Sequence, residues 1–282
     1  MDRRGFLRNA LLTAAAVPAL AGCTPQQAAQ EPGTPVRPDF ARKGIGMSIG
    51  KMFGVDQLNS LDVDWFYSWG AGFPAARPRA DFIPMIWGRE SVRQGSVDEV
   101  RSELDLSRAA ALLGFNEPDH PAQADMSVSR AVNLWPQLEE PGLRLGSPAP
   151  VQPLGDWLKR FMASCEAKQL RVDFVAMHMY PSPDAGAFLD TVRKVHAYYG
   201  KPVWITEYAV ADWDATAKRP SRHSAQDIRA FMADTVAGLR EMPFVERFAW
   251  KTRAENDPIM GASALFRKDG SLTDTGELYR SL

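Results

Sequence analysis

Short apolar runs of five to nine residues, bounded by Gly, Pro, Asn and Asp, alternate along the chain with longer stretches of helical period. The short runs read as strands. They are Gly44–Ile49, Val63–Trp69, Phe82–Trp87, Leu112–Glu117, Leu143–Ala149, Val172–Tyr180, Val203–Glu207 and Val245–Lys251. Between them the 3.6-residue period predicts helices over Ser127–Leu138, Gly155–Lys168, Asp184–Tyr199 and Ser224–Arg240, with Thr273–Leu282 closing the chain. A further helix is expected from Ser96 to about Ala111, opened by a Ser-Val-Asp-Glu capping box. Gly70 to Asp81 holds two Pro and two Gly, so the second helix is expected to be absent or very short. Eight strands alternating with helices imply a parallel sheet, and eight is the number that closes a (β/α)8 TIM barrel. The competing architecture, an open doubly wound sheet for nucleotides, is weakened at its usual landmark. The run after the first strand, Ile49-Gly50-Lys51-Met52-Phe53-Gly54, lacks the Gly-x-Gly-x-x-Gly phosphate loop.

Length fits that fold, because 282 residues suit one α/β barrel domain. The formal charge of −1 carries no nucleic-acid footprint. Eight Trp with so little net charge suit a site for neutral, flat-faced ligands such as sugars. The N-terminus reads separately. Arg3-Arg4-Gly5-Phe6-Leu7-Arg8 resembles a twin-arginine signal, Ala10 to Ala21 is too short to span a bilayer, and Leu20-Ala21-Gly22-Cys23 looks like a bacterial lipobox. The expected organisation is a signal peptide over 1–22, a flexible tether over 23–42 rich in Pro, Gln and Ala, and a catalytic barrel over 43–282. Loss of residues 1–22 removes three Arg and one Asp and moves the formal charge from −1 to −3. Cys23 is the expected lipidation site, which leaves Cys165 without a disulfide partner in the mature domain. The expected address is the bacterial cell envelope, exported and lipid-anchored on a periplasmic or outer-membrane face.

The chemistry is expected at the C-terminal ends of barrel strands. Two glutamates end strands there, Glu117 on the fourth and Glu207 on the seventh. A carboxylate at the end of an apolar strand is costly to bury unless it is paired or functional. Two of them across a barrel mouth meet the requirement of retaining glycoside hydrolysis, carboxyl groups about 5–5.5 Å apart, with mutual repulsion pushing their proton affinities apart.

Gly114-Phe115-Asn116-Glu117-Pro118-Asp119, Val175-Ala176-Met177-His178-Met179-Tyr180 and Trp204-Ile205-Thr206-Glu207-Tyr208 resemble the clan A glycoside hydrolases and, more narrowly, glycoside hydrolase family 128. Phe82-Ile83-Pro84-Met85-Ile86-Trp87-Gly88, Gly146-Ser147-Pro148-Ala149, Arg247-Phe248-Ala249-Trp250 and the ending from Asp269 to Gly276 extend the likeness from about Lys43 to the C-terminus. The resemblance implies cleavage of β-1,3-glucan or its oligosaccharides with retention, in endo or exo mode. It implies Glu117 as acid/base, Glu207 as nucleophile, Asn116 on the sugar 2-hydroxyl and Tyr180 orienting the nucleophile. Two loops depart from the pattern and leave the substrate open. They are the charged run Lys251-Thr252-Arg253-Ala254-Glu255-Asn256-Asp257 and the stretch from Tyr208 to His223 around Trp213.

Other residues divide between site and core. His178 shares a strand face with Tyr180, Phe174 and Ala176 and is read as lining the site. Trp69, Trp87 and Trp250, at strand ends, are read as sugar-binding platforms, and Trp65 and Tyr67 as core. Glu90, Asp119 and His120 lie near the rim. Four His with no i, i+4 pair give no metal signature, and no metal or cofactor is expected. The expected partner is a polysaccharide or oligosaccharide, with membrane contact through the N-terminal lipid alone and the protein a monomer. Two alternatives stay open: a clan A hydrolase acting on another polysaccharide, and a lipid-anchored carbohydrate-binding protein without turnover.

Overall fold

The computed structural model describes residues 41–50 and 53–282. The signal peptide, the lipobox with Cys23 and most of the tether lie outside the described residues. Within the described residues no helix is long and apolar enough to cross a membrane.

The chain alternates strands and helices around one ring. The strands are β1 (Arg42–Gly46), β2 (Trp65–Tyr67), β3 (Asp81–Phe82), β4 (Ala111–Leu112), β5 (Arg144–Leu145), β6 (Val175–Met179), β7 (Val203–Tyr208) and β8 (Val245–Lys251). The helices are α1 (Val55–Ser60), α2 (Arg89–Arg93), α3 (Ser96–Ser102), α4 (Leu104–Ser107), α5 (Val128–Glu139), α6 (Asp156–Ala167), α7 (Ala185–Tyr199), α8 (Ala225–Arg240) and α9 (Asp274–Ser281). Six strands form one parallel sheet in the order β3-β2-β1-β8-β7-β6, and β4 pairs with β5. The ladder is not continuous round the ring. At its two seams the sheets meet through single parallel bridges, Met85 to Leu113 and Gly146 to Phe174. This is the α/β barrel that the strand–helix rhythm implies, with all eight expected strands located. Arg42, assigned to the tether by sequence, opens β1.

Two aromatic-rich layers fill it. The inner layer, enclosed by the strands, holds Trp65, Tyr67, Ile83, Met85, Leu113, Phe174, Trp204 and Ala249. The Phe174 and Trp204 rings stack with centroids 4.0 Å apart. Gly44 on β1 makes room for this layer, since a Cβ there would lie 2.2 Å from the Trp65 indole nitrogen. The outer layer packs the other strand faces on the helices, with Ile45, Phe66, Ile205, Tyr208, Phe248 and Trp250 among its members.

No helix forms between Gly70 and Asp81, as the two prolines require. The third helical segment departs from expectation. Ser96 does not cap: Gly95, left-handed at φ 84, takes the N-cap position and no side chain accepts a capping bond there. The segment then breaks at Glu103 and stops at Arg108, left-handed at φ 52. The one-turn helices α1 and α2 carry no legible period, because α1 buries only Leu58 and α2 buries nothing.

Candidate active site

Strand β7 places the first carboxylate by breaking its own alternation. Trp204 points into the inner layer and Ile205 to the outer one. Strict alternation would then put Glu207 on the outer face with Ile205. Instead the register shifts against both neighbours: His178 on β6 pairs with Glu207, one residue beyond the position that Met177–Ile205 pairing requires, and the shift recurs against β8. A bulge of this kind re-aims a side chain. It turns Glu207 into the mouth, while Tyr208 resumes the outer face against Trp250 and Phe188.

Once inside, Glu207 is 5% exposed and surrounded by donors. The Tyr67 hydroxyl (2.9 Å) and the Trp69 indole N–H (2.8 Å) donate to Oε1, and the Tyr180 hydroxyl donates to Oε2. The Lys251 ammonium lies 3.8 Å from Oε2. Burial by itself would raise the carboxyl pKa. Electrostatic interaction with His178 and with Lys251, with the hydrogen bonds from Tyr180 and Trp69, outweighs it and brings the group down to about 2. The same contacts push the Tyr67 and Tyr180 phenols well above their ordinary range, through burial first and the Glu207 charge second. Glu207 is therefore a carboxylate at neutral pH, and both phenols are donors.

Strand β4 places the second carboxylate through strained backbone. The segment after β4 runs close to its neighbours, and a Cβ at Gly114 would sit 2.9 Å from both the Gly146 carbonyl and the Trp135 ring. The Asn116 N–H donates to the Trp87 carbonyl, and the Glu117 N–H to the Ala149 carbonyl, both at 2.9 Å. Between these anchors Glu117 adopts φ 38, a left-handed conformation that costs a non-glycine residue roughly 1–3 kcal/mol. The Glu117 side chain is 14% exposed and meets His178 Nδ1 at 3.1 Å. His178 itself is buried, and its Nε2 lies 3.5 Å from Glu207 Oε1 with no hydrogen-bond partner of its own. One imidazole thus spans the gap between the two carboxylates.

The cleft over them has a volume of ≈ 590 Å³ and brings together Trp69, Trp87, Asn116, Glu117, Tyr180 and Glu207 from the sequence-derived set. Asn116 donates to Gln123 at 3.2 Å, while its buried Oδ1 has no partner. Trp250 does not belong to the site. It is fully buried in the outer layer, donates its indole N–H to the Ser263 carbonyl at 2.9 Å and packs edge-on to Tyr208. The reason is parity: Ala249 and Lys251 take the inner face of β8, so Trp250 takes the outer one. Tyr67, read as core, does both jobs, with its ring in the inner layer and its hydroxyl on Glu207.

Several lining residues were not singled out from sequence: Gln123, Val151, Lys251 and Arg253. Trp213, 58% exposed at the rim, meets Tyr180 edge-on at 5.8 Å. Of these only the charged runs around Lys251 and Trp213 gave a signal. Among the rim residues His120 lines the cleft. Asp119 braces the neighbouring loop by accepting from the Val151 and Gln152 N–H groups. Glu90 is paired with Arg89 and Arg93 in solvent. Among the described residues no group of His, Cys, Asp or Glu is arranged to hold a metal ion.

The family described as glycosyl hydrolase catalytic core matches residues 48–279. Alkali-sensitive linkage protein 1 of Schizosaccharomyces pombe is 27% identical over 254 residues, which cover 85% of this chain and 44% of that protein. The chain therefore spans under half of that relative's length. A family 128, subgroup I endo-β-1,3-glucanase of Amycolatopsis mediterranei, solved as a glutamate-to-alanine variant with laminaripentaose, is 31% identical with a TM-score of 0.75. The match covers 86% of this chain and 99% of that one. A subgroup II endo-β-1,3-glucanase of Sorangium cellulosum is 28% identical with a TM-score of 0.71, covering 86% of this chain and 98% of that one.

Proposed function

The chain belongs to the glycosyl hydrolase catalytic core family, and within it to glycoside hydrolase family 128, and on that premise we propose that it cleaves β-1,3-glucan with retention, using Glu207 as nucleophile and Glu117 as acid/base. The observation that carries the assignment is the asymmetry of the two carboxylates about His178. Glu207 is held ionised by Tyr67, Trp69, Tyr180 and Lys251, the condition a nucleophile needs. Glu117 faces the cleft with His178 as its side-chain partner, open to a departing oxygen or a water.

In the first step Glu207 attacks the anomeric carbon and Glu117 delivers its proton to the departing oxygen, which leaves a glycosyl-enzyme. In the second step Glu117 takes a proton from water, the water oxygen joins the anomeric carbon, and the bond to Glu207 breaks with its electron pair returning to the carboxylate. Asn116 lines the cleft and keeps a buried Oδ1 without a partner, which supports reading it as the residue that bonds the sugar 2-hydroxyl. Trp87 and the exposed Trp213 offer aromatic faces for sugar rings, and Val151 adds apolar wall. Incubation with laminarin should release reducing ends, and a panel of β-1,3-, β-1,4-, β-1,6- and mixed-linkage glucans should show cleavage of the β-1,3 links. Binding of laminarin without release would leave a carbohydrate-binding protein. Preferential cleavage of another linkage would leave a hydrolase of a different glucan.

The address of the enzyme rests on sequence alone. Arg3-Arg4, the apolar run and Leu20-Ala21-Gly22-Cys23 support export and lipid anchoring in a bacterial envelope, with the tether joining lipid to barrel. Cys23→Ser should move the protein from the membrane fraction to the soluble one or leave its signal uncleaved. Identical partition of variant and parent refutes lipidation.

A further inference from the structure

Lys251 opens the charged run that ends at Asp257, and alternation along β8 turns it into the mouth of the barrel beyond Arg247 and Ala249. Its side chain is 17% exposed. The ammonium sits 3.4 Å from the centroid of the Trp69 ring and 3.8 Å from Glu207 Oε2. Trp69 in turn donates its indole N–H to Glu207 Oε1 and is itself left-handed, at φ 58. Lysine, indole and carboxylate therefore close a three-membered cluster that touches both oxygens of Glu207. The neighbouring cation is committed elsewhere, since Arg253 pairs with Asp257 at 3.1 Å.

This geometry changes the reading of Trp69. An ammonium stacked on its ring occupies the surface a sugar would use, and a desolvated cation–π contact of this kind holds an indole in place. A positive charge beside Glu207, which burial disfavours and the Glu207 carboxylate favours, also acts unequally on the two chemical steps. It favours the carboxylate over the uncharged glycosyl ester. It therefore opposes ester formation and assists ester breakdown, in which the electron pair returns to Glu207.

We propose that Lys251 is a positioning residue of the reaction: it clamps Trp69 onto Glu207 and assists departure of Glu207 as a carboxylate when the glycosyl-enzyme is hydrolysed. The proposal rests on the reading of Glu207 as nucleophile.

The test uses a dinitrophenyl β-laminaribioside, whose leaving group needs no proton, so that formation and breakdown of the glycosyl-enzyme can be followed apart. In Lys251→Met, kcat should fall by roughly tenfold or more. kcat/KM, which reports formation, should not fall and should rise modestly, because the charge that opposes ester formation is gone. A glycosyl-enzyme should accumulate in acid-quenched samples, with its mass label on the peptide containing Glu207. Lys251→Cys should behave in the same way, and aminoethylation of that cysteine, which restores an ammonium at nearly the original reach, should restore kcat. The cysteine pair carries the comparison if the methionine variant does not fold. Proportional loss of kcat and kcat/KM, absence of accumulation, or no recovery on aminoethylation overturns the role of Lys251. A mass label on a residue other than Glu207 overturns the nucleophile assignment on which it stands.

Discussion

The two walls of the cleft hold the same side chain by opposite means. On the β7 wall, Glu207 sits on a strand bulge, buried, with three hydrogen-bond donors and a lysine around it. On the β4 wall, Glu117 sits on strained backbone, partly open to the cleft, with His178 as its side-chain partner. A nucleophile must stay charged and must not rotate, so many contacts serve it. A proton carrier must accept and release within each turnover, and a dense set of donors would hold it in one state. The difference in surroundings, rather than in the residue, separates the two roles.

The largest effects should come from removing the carboxylates themselves. Glu207→Ala should lower kcat by at least about 10⁴-fold on any substrate, as loss of a nucleophile does. Azide, entering the vacated space, should displace an activated leaving group once and give the α-glycosyl azide. Glu117→Ala should cost about 10²–10⁴-fold on laminarin, but far less on a substrate whose leaving group needs no proton. There azide should intercept the glycosyl-enzyme and give the β-glycosyl azide. Product configuration by NMR checks both, and swapped configurations would exchange the two walls. An inverted product from the parent enzyme would end the retaining mechanism.

Trp250→Ala should act on stability, because its indole fills the outer layer. Loss of about 3–5 kcal/mol in denaturant unfolding is expected, with kcat/KM of the folded fraction near the parent value. A stable variant with weakened oligosaccharide binding would return Trp250 to the cleft.

The smallest effect tests the donors on the β7 wall. Tyr67→Phe removes one hydrogen bond to Glu207, whose pKa should rise from about 2 toward the ordinary carboxyl range. Because a protonated nucleophile is inactive, the acid limb of kcat/KM should move to higher pH. Stability has the same sign. A depressed carboxyl stabilises the fold above its unfolded pKa, and that contribution is lost as pH falls from the unfolded value through about 2, so in Tyr67→Phe the contribution should be smaller and its loss complete at a higher pH than in the parent. An unmoved acid limb would show that the remaining donors suffice.

The eight strands, the missing second helix and the two strand-end glutamates were legible along the chain, because strand period and proline chemistry are local. The motifs around Asn116, Glu117, His178, Tyr180 and Glu207 were equally legible, since their members stand a few residues apart. What the sequence could not decide is which way several of those side chains face. Both faces of a barrel strand are buried, so alternation separates two sets without saying which is inside. Trp250 was misread on that account, and Lys251, its neighbour on the opposite face, was left among loop charges. The bulge that turns Glu207 inward is invisible for a related reason: it exists only as a register against Met177 and Phe248 on other strands. The left-handed turn at Glu117 likewise depends on the carbonyl of Ala149, supplied from beyond the next strand. Local sequence determined what each element is and where its chemistry lies. Non-local pairing decided its direction, because strand register and side-chain facing are properties of neighbours brought together only when the barrel forms.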